Sequence, residues 1–231
     1  MSRAAGLTGD LVDMTLANFN GQLEPTAWAA VKTFVKTWPA KFRNLALLGQ
    51  PGCGKTHLAV GLMRHAMTRG KRCYYACWPE LWRLVDKSPD RQAAESKYLD
   101  PAFVVDLMVL DDAGRESGTS YKDNWLDVVV NHRYREQLAT IVTANMTEDQ
   151  LDEWLGGASA SRFGSVCEVV TMSGEDRRGK IARLSRQNDL GGDPTVVCGT
   201  CKGARYVLDE ARPVGSRDRL TVCPSCHGKG Y

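Results

Sequence analysis

The sequence has no long uninterrupted apolar run, no internal repeat and no low-complexity tract. Its longest apolar stretch, residues 102–110, is interrupted by Asp106, and Asp10 and Asp13 lie where a secretion signal needs continuous apolar residues. We therefore expect no membrane span and no export signal, and a protein of the cytoplasm. A composition of 43% hydrophobic and 25% charged residues over 231 positions also excludes disorder of the whole chain.

The eight cysteines would suggest disulfide bonds in a short secreted protein, but no export signal accompanies them. Four are scattered among apolar neighbours, where an ordinary buried thiol is expected. These four are Cys53, Cys73, Cys77 and Cys167. The remaining four form two C-x-x-C pairs near the C-terminus, and we expect a reducing compartment for the whole chain.

Secondary-structure patterns predict an α/β fold. From residue 44 onward, short apolar runs alternate with helix-length segments, which predicts βαβ units and a parallel sheet covered on both faces. Strands are predicted at 45–48, 72–76, 107–111, 140–143 and 166–172. An amphipathic helix, with apolar positions from Trp28 to Trp38, is expected before the first strand. The capping-box spacing from Thr147 to Gln150 predicts a further helix through Trp154.

Composition divides the chain into four segments. We expect an N-terminal segment with a docking helix (1–43), an α/β domain (44–180), a linker (181–195) and a small module (196–231). The linker contains a Gly-Gly-Asp-Pro run at 191–194, which cannot continue a helix. The net charge is only +3, but residues 177–231 carry 11 Lys/Arg against 5 Asp/Glu. The basic part of the chain is therefore its C-terminal end.

A complete P-loop pattern, G-Q-P-G-C-G-K-T at residues 49–56, lies between an apolar strand and a helix. Glycines are needed there because backbone N–H groups wrap a polyphosphate that side chains would keep away. Lys55 offers a cation to the β- and γ-phosphates, the Thr56 hydroxyl offers a ligand to Mg²⁺, and the helix N-terminus favours the anion. The residues expected to contact the nucleotide are Gly49, Pro51, Gly52, Cys53, Gly54, Lys55, Thr56, His57 and Asp111.

Two further strand ends carry polar side chains that can complete this site. Beside the P-loop strand, Asp111 would hold Mg²⁺, directly or through water, and Asp112 would orient and deprotonate the attacking water. The alternative is that the two carboxylates are a simple polar end of the strand. Asn145 can hydrogen-bond the γ-phosphate and the attacking water, or can merely form a turn. Glu116 is either a backup acid or a solvated loop carboxylate.

The order and spacing of these motifs resemble those of AAA+ ATPases. Four details resemble the replicative-helicase loaders of bacteria and phages, the DnaC/DnaI type: G-K-T-H-L-A at 54–59, L-D-D-A-G at 110–114, I-V-T-A-N-M-T at 141–147 and T-L-A-N-F at 15–19. The related IstB-type transposition helper ATPases share most of them. The resemblance covers residues 14–180. It implies an AAA+ three-layer sandwich with a parallel sheet, ATP as the nucleotide, a homo-oligomer, and a replicative helicase and single-stranded DNA as partners.

The resemblance also implies roles for two arginines and a slow rate of hydrolysis. Arg162 lies where such proteins place an arginine finger, which reaches the nucleotide of a neighbouring subunit. Arg178 lies in a segment that resembles their sensor-two segment. For both arginines a solvated surface charge is the alternative. Asp112 replaces the Glu that is common across AAA+ proteins, and its shorter side chain suits the slow hydrolysis of a switch.

The segment 78–98 has two readings. In the family it helps to line a DNA channel, which implies phosphate contacts by Arg83, Lys87 or Lys97 and base stacking by Trp82. The aromatic residues of the segment also have helical spacing, which is typical of a buried apolar face.

The C-terminal cysteine pairs predict a structural Zn²⁺ site. Cys198 and Cys201 are separated by 21 residues from Cys223 and Cys226, and two facing C-x-x-C turns can close a tetrahedron of thiolates around one zinc ion. A module of this size cannot bury a sufficient core, so metal binding would drive its folding. Two disulfides or a tail without metal are the alternatives, His227 is a spare candidate ligand, and either DNA or a protein could be the module's partner.

Overall fold

The computed structural model describes residue 7, residues 9–114, 120–174 and 176, and two short strands at 206–208 and 220–222. Contacts within the chain separate two compact units, Met1–Arg177 and Arg178–Tyr231. The predicted zinc ligands, the sensor-two arginine and the backup acid lie outside the described residues: Cys198, Cys201, Cys223, Cys226, Arg178 and Glu116. Their roles, like the four segment boundaries, stay predictions. Within the described part, no helix is long and apolar enough to cross a membrane.

Five parallel strands form the sheet of the first unit. They are β1 (Asn44–Gly49), β2 (Cys73–Cys77), β3 (Leu107–Ala113), β4 (Ala139–Ala144) and β5 (Cys167–Met172). Their order across the sheet is β2-β3-β4-β1-β5. All five predicted strands are present, and their ends differ from the prediction by at most two residues. The central strands are buried on both faces, which is why they read as continuous apolar runs.

Eight α-helices of the described residues cover this sheet, and a short 3-10 helix (Gly9–Asp13) precedes them. They are α1 (Pro25–Thr37), α2 (Lys55–Thr68), α3 (Trp78–Asp86), α4 (Arg91–Tyr98), α5 (Pro101–Val104), α6 (Ser120–Arg135), α7 (Glu148–Leu155) and α8 (Gly157–Gly164). The helix predicted before the first strand is α1, which begins at Pro25, a residue suited to a first helical position. The predicted capping box is also present, since Thr147 and Gln150 bond each other's backbone N–H at the start of α7.

The two faces of the sheet carry two separate cores. Leu45 and Leu47 point to the face covered by α1 and α2, which we call the first helical layer. Ala46 and Leu48 point to the face covered by α3 to α8, the second helical layer, because side chains alternate along a strand. The predicted three-layer α/β architecture is therefore confirmed.

The segment 78–98 forms α3 and α4, and its aromatic face is part of the second core. Trp78 and Trp82 are 1% and 0% exposed and contact each other edge to face. The buried-face reading is therefore confirmed, and the suggested base stacking by Trp82 is wrong, because no face of this ring reaches solvent. Two of the suggested DNA-binding cations also have neighbours within the segment: Arg83 pairs with Glu80, and the Lys97 ammonium lies over a tyrosine ring.

The second unit contains a two-stranded antiparallel ribbon. Its strands are β6 (Tyr206–Leu208) and β7 (Leu220–Val222), paired with Tyr206 opposite Val222. The first residue of β6 and the last residue of β7 therefore lie at the same end of the ribbon.

Candidate nucleotide site

The P-loop connects β1 to α2 at the carboxyl edge of the sheet. Gly49, Gly52 and Gly54 have φ angles of 134°, 79° and 106°, a region that residues with a Cβ rarely adopt. Space is also limiting, because a Cβ at Gly49 would collide with the carbonyl oxygen of Met172. The glycines predicted from the motif are therefore required by both the dihedral angles and the packing of this loop.

Lys55 lies inside the P-loop and is 7% exposed. Its Nζ is 2.8 Å from the carbonyl oxygens of Gly49 and Gln50, 2.8 Å from Oδ1 of Asn145 and 3.7 Å from Sγ of Cys53. Burial lowers the pKa of Lys55 from its ordinary value, and the nearby thiol and carboxylates act in the opposite direction. The ammonium group is thus held at the centre of the loop by neutral acceptors that a phosphate oxygen could replace.

Asp111, at the end of β3, accepts hydrogen bonds from three hydroxyl groups. Its Oδ1 accepts hydrogen bonds from Thr56 (2.9 Å) and Thr143 (2.5 Å), and its Oδ2 accepts one from Tyr75 (2.7 Å). The structure therefore brings the two predicted Mg²⁺ ligands, Thr56 and Asp111, into direct contact. A hydroxyl and a carboxylate are the hard oxygen donors that Mg²⁺ prefers, so this pair fits the ion. Bound Mg²⁺ would supply charge neutralisation at the phosphate oxygens.

Asp112 lies in a break of the sheet. The pairing of β3 with β4 shifts register between Leu110 and Ala113, and Asp112 has a φ of 58°. Its backbone N–H donates to Oγ1 of Thr143 (3.0 Å), and its side chain accepts from Nδ2 of Asn145 (3.2 Å). Positive φ at a non-glycine residue costs about 1–3 kcal/mol and is typical of functional sites. The bulge therefore places the predicted water-activating carboxylate beside Asn145.

Motif reasoning missed two residues of this constellation, Tyr75 on β2 and Thr143 on β4. Burial, and then the charge of Asp111, raise the pKa of Tyr75, so that its hydroxyl remains a donor. Thr143 is 1% exposed and bonds both Asp111 and the backbone of Asp112. The sequence offered one signal for Thr143, a residue with a hydroxyl group within an apolar strand, two residues before Asn145.

His57 contacts the N-terminal segment. Its Nε2 lies 3.0 Å from the carbonyl oxygen of Thr15 and 2.9 Å from Oδ1 of Asn18, so this nitrogen carries the proton. The ring of Phe19 meets the His57 ring at 5.4 Å and stacks on Trp28 at 5.8 Å. The T-L-A-N-F segment is therefore held against the first turn of α2, next to the P-loop.

Arg162 lies apart from these hydrogen bonds. It is exposed on α8, where its Nη1 donates to Oδ1 of Asn131 on α6 (2.6 Å). It takes no part in the contacts that join Lys55, Thr56 and Asp111 within one chain. An exposed position is compatible with the predicted action on a neighbouring subunit and equally with a solvated charge.

Three curated proteins illustrate the sequence similarity. The uncharacterized protein YqaM of Bacillus subtilis (strain 168) is 27% identical over 191 residues, which cover 74% of this chain and 59% of YqaM. The replicative helicase loader DnaI of the same strain is 30% identical over 163 residues, covering 64% and 52% of the two chains. An insertion sequence IS21-like putative ATP-binding protein of Bacteroides fragilis is 28% identical over 162 residues, covering 67% and 61%. The chain thus spans little more than half the length of the first two relatives.

A solved structure and a family description complete the comparison. A crystal structure of DnaI superposes with a TM-score of 0.63 at 24% identity, covering 72% of this chain and 94% of that chain. This likeness confirms the predicted AAA+ fold. The family described as IstB-like ATP binding protein matches residues 17–185, which include the P-loop, both aspartates and Asn145. The chain therefore belongs to the IstB-like family of ATP-binding proteins.

Proposed function

We propose that this protein binds ATP with Mg²⁺ and hydrolyses it slowly. The observation that carries the proposal is the set of hydrogen bonds that joins the P-loop to the ends of β3 and β4: Lys55 to Asn145, Asn145 to Asp112 and Thr56 to Asp111. Lys55 binds the β- and γ-phosphates, and Thr56 and Asp111 hold the magnesium ion. Asp112 and Asn145 orient the attacking water, and Asp112 accepts its proton.

We propose further that ATP turnover serves the loading of a replicative helicase on single-stranded DNA. Support comes from the 30% identity with a replicative helicase loader, DnaI, over 163 residues. A homo-oligomer, in which Arg162 contacts the nucleotide of the adjacent subunit, would couple hydrolysis to assembly. The expected contribution of such a finger is on the order of 10³–10⁵ in rate.

The test is the ATPase rate per subunit, measured against protein concentration with and without single-stranded DNA. A rate that rises with concentration, and that Arg162→Ala lowers while Arg135→Ala does not, supports the oligomeric enzyme. Both arginines are exposed, on α8 and α6 respectively, so the control removes the same charge from a surface position. A rate that is independent of concentration and of Arg162 contradicts the finger but leaves ATP hydrolysis standing.

A second candidate function is that of a transposition helper ATPase acting on double-stranded DNA. The family match and the 28% identity with an IS21-like ATP-binding protein favour it. Affinity purification from the native host separates the two, since a replicative helicase or a transposase should accompany the protein. A third candidate, a nucleotide-gated zinc adaptor without turnover, predicts retained ATP binding with no phosphate release.

We also propose the Zn²⁺ site of the C-terminal module. Cys201 precedes β6 by five positions and Cys223 follows β7 directly, and the paired strands begin and end at the same end of the ribbon. This register supports convergence of the two C-x-x-C pairs. Metal analysis of the purified chain should give one zinc per subunit, lost in Cys223→Ser and retained in Cys167→Ser. Zinc-free protein with all eight thiols titratable would contradict the site.

A further inference from the structure

The chain that follows β5 runs along the P-loop. Gly49, where β1 ends and the P-loop begins, pairs with Met172, the last residue of β5. Two residues further on, the backbone N–H of Gly174 donates to Oε1 of Glu24 at 2.6 Å, and Glu24 is only 5% exposed. Strand pairing and a buried acceptor therefore fix the path of the chain as it passes the P-loop.

Asp176 lies against the P-loop at Gly52. A Cβ added at Gly52 would collide with Oδ1, Cγ and Cα of Asp176. The carboxylate and the backbone of Asp176 therefore both lie close to the Cα of Gly52. Asp176 is also exposed to solvent. A carboxylate thus stands at the surface of the loop that is expected to hold the phosphates.

Gly52 is one of the glycines of the P-loop, and its φ of 79° favours a residue without a Cβ. The lack of a side chain in such a loop also lets a polyphosphate approach the backbone closely. Here the space that a side chain would take holds the Asp176 carboxylate. A triphosphate bound in the loop therefore comes close to this carboxylate.

Asp176 differs in position from the two aspartates already assigned to the nucleotide site. Asp111 and Asp112 lie on β3, to one side of β1 in the sheet, whereas Asp176 follows β5, on the other side. Asp111 contacts the Thr56 hydroxyl, with which it is placed to share a magnesium ion. Asp176 instead meets the loop at Gly52. A carboxylate in this position acts on the nucleotide through its charge rather than as a further ligand of the metal.

The repulsion between a carboxylate and a triphosphate grows with the charge of the triphosphate. Free ATP carries more negative charge than its complex with Mg²⁺, because the bound ion offsets part of that charge. Asp176 should therefore disfavour free ATP more strongly than magnesium-bound ATP. Because Asp176 is exposed, salt screens this repulsion, and the expected effect on affinity is a modest factor.

We propose that Asp176 is a selectivity residue of the nucleotide site, which disfavours free ATP by charge repulsion and so favours ATP that already carries Mg²⁺. Free ATP in the site would lack the ion that neutralises charge at its phosphate oxygens. Selection at the binding step keeps such unproductive complexes rare. The inference rests on the proposed binding of ATP and is independent of hydrolysis.

The test is the dissociation constant of ATP, with and without Mg²⁺, measured by calorimetry on the full chain and on Asp176→Asn, which keeps the side-chain shape and removes its charge. Divalent cations are removed from the buffer with a resin before the protein is added, so that no chelator reaches the proposed zinc site. At about 50 mM salt we expect Asp176→Asn to bind free ATP about sixfold more tightly and magnesium-bound ATP about 2.5-fold more tightly. The control Asp100→Asn, at an exposed residue that precedes α5 and β3, should change neither constant.

An equal gain for the two forms of ATP overturns the inference, because contact rather than charge would then set the affinity. Unchanged or weaker binding in Asp176→Asn also overturns it, as does a gain that about 300 mM salt does not reduce. Asp176→Ala removes the same charge and should reproduce the loss of selectivity, so an effect of Asp176→Ala alone contradicts the role of charge. A parent chain that binds neither form of ATP contradicts the proposed function itself. A parent chain that binds ATP, with the same constants in Asp176→Asn, contradicts only this inference.

Discussion

The two helical layers of this domain use charge in opposite ways. In the first layer, α1 and α2 contain no carboxylate, and their four cations form no ion pair among the described residues: Lys32, Lys36, Lys55 and Arg64. The second layer pairs several of its charges internally, as in Arg91 with Glu95 within α4 and Lys122 with Asp86 between α6 and α3, and it buries Arg133 beneath carbonyl oxygens. The first layer thus keeps its cations out of ion pairs, whereas the second uses several of its charges within the fold.

This difference has a physical reason. A carboxylate beside a phosphate group raises the free energy of binding unless a metal ion lies between them, so helices without carboxylates would favour an anionic ligand. Cations kept free for a ligand contribute little to folding, whereas a buried cation must be satisfied by acceptors or the fold is destabilised. Substitution of cations in the two layers should therefore separate effects on activity from effects on stability.

The largest effect is expected at the start of α2. Lys55→Met should lower ATP hydrolysis by about 10²–10³ or more, because the charge on the transferring phosphoryl group loses its fixed cation. The unfolding free energy should fall by only about 1–2 kcal/mol, because the oxygens of Gly49, Gln50 and Asn145 lose a donor but are only partly buried. Phosphate release and urea denaturation measure the two quantities. Lys87→Met, a surface change at the end of α3, is the control for both. A loss of several kcal/mol in Lys55→Met would show that the first layer also depends on its cations for folding.

In the second layer, substitution of Arg133 should lower the unfolding free energy and leave the hydrolysis rate unchanged. Its guanidinium donates to the hydroxyl of Thr140 and to the carbonyl oxygens of Ala102, Val105 and Ala139. Arg133→Met leaves these buried oxygens without a donor, so we expect a loss of about 3 kcal/mol or more in unfolding free energy.

Urea denaturation of Arg133→Met is compared with that of Arg135→Met, which removes an exposed arginine from the same helix. The hydrolysis rate per folded molecule should match that of the parent at low temperature. Equal stability of the two variants would contradict a structural role for the buried guanidinium.

Thr143 tests whether the missed hydroxyl positions the two carboxylates. Thr143→Val keeps the shape of the side chain but removes its hydrogen bonds to Asp111 and to the Asp112 backbone. We therefore expect kcat to fall by about 10–100-fold and the Mg²⁺ concentration at half-maximal rate to rise. Thr143→Ser should restore most of the rate. Thr171→Val, the same change on the exposed side of β5, should have no effect. A fall in ATP affinity with kcat unchanged would contradict a role through the aspartates.

Much of this site could be predicted because its parts are local. The P-loop glycines, the strand before them and the cap of α7 each follow from residues close together in sequence. Tyr75 could not be predicted, because its hydroxyl reaches Asp111 through the pairing of β2 with β3, in which Cys77 lies opposite Asp111. That register depends on contacts 36 residues apart. Likewise, helical spacing suits Trp82 to either a core or a DNA-binding face, and the sequence alone does not decide between them, whereas its burial in the structure does.

The smallest effects on stability are expected when one charge is neutralised in each layer. These two substitutions test the comparison most directly. Lys122 is nearly buried, lies 3.6 Å from Asp86 and sits 5.5 Å from the ring centre of Trp82. Because Asp86 is half exposed, we expect Asp86→Asn to lower the unfolding free energy by only about 0.5–1 kcal/mol. Lys36 has Lys32 and Arg69 as like-charged neighbours but lies in the last turn of α1, where a cation is favourable, so Lys36→Gln should change stability by no more than a few tenths of a kcal/mol.

Urea denaturation at low and high salt distinguishes these two effects. Salt should weaken both, since each depends on charges that solvent reaches. The stability difference between Lys36→Gln and Asp86→Asn should therefore narrow at high salt. If Lys36→Gln destabilises the domain as much as Asp86→Asn does, the Lys36 ammonium is satisfied within the fold. The first layer would then use its charge in the same way as the second, and the contrast between the two layers would fail.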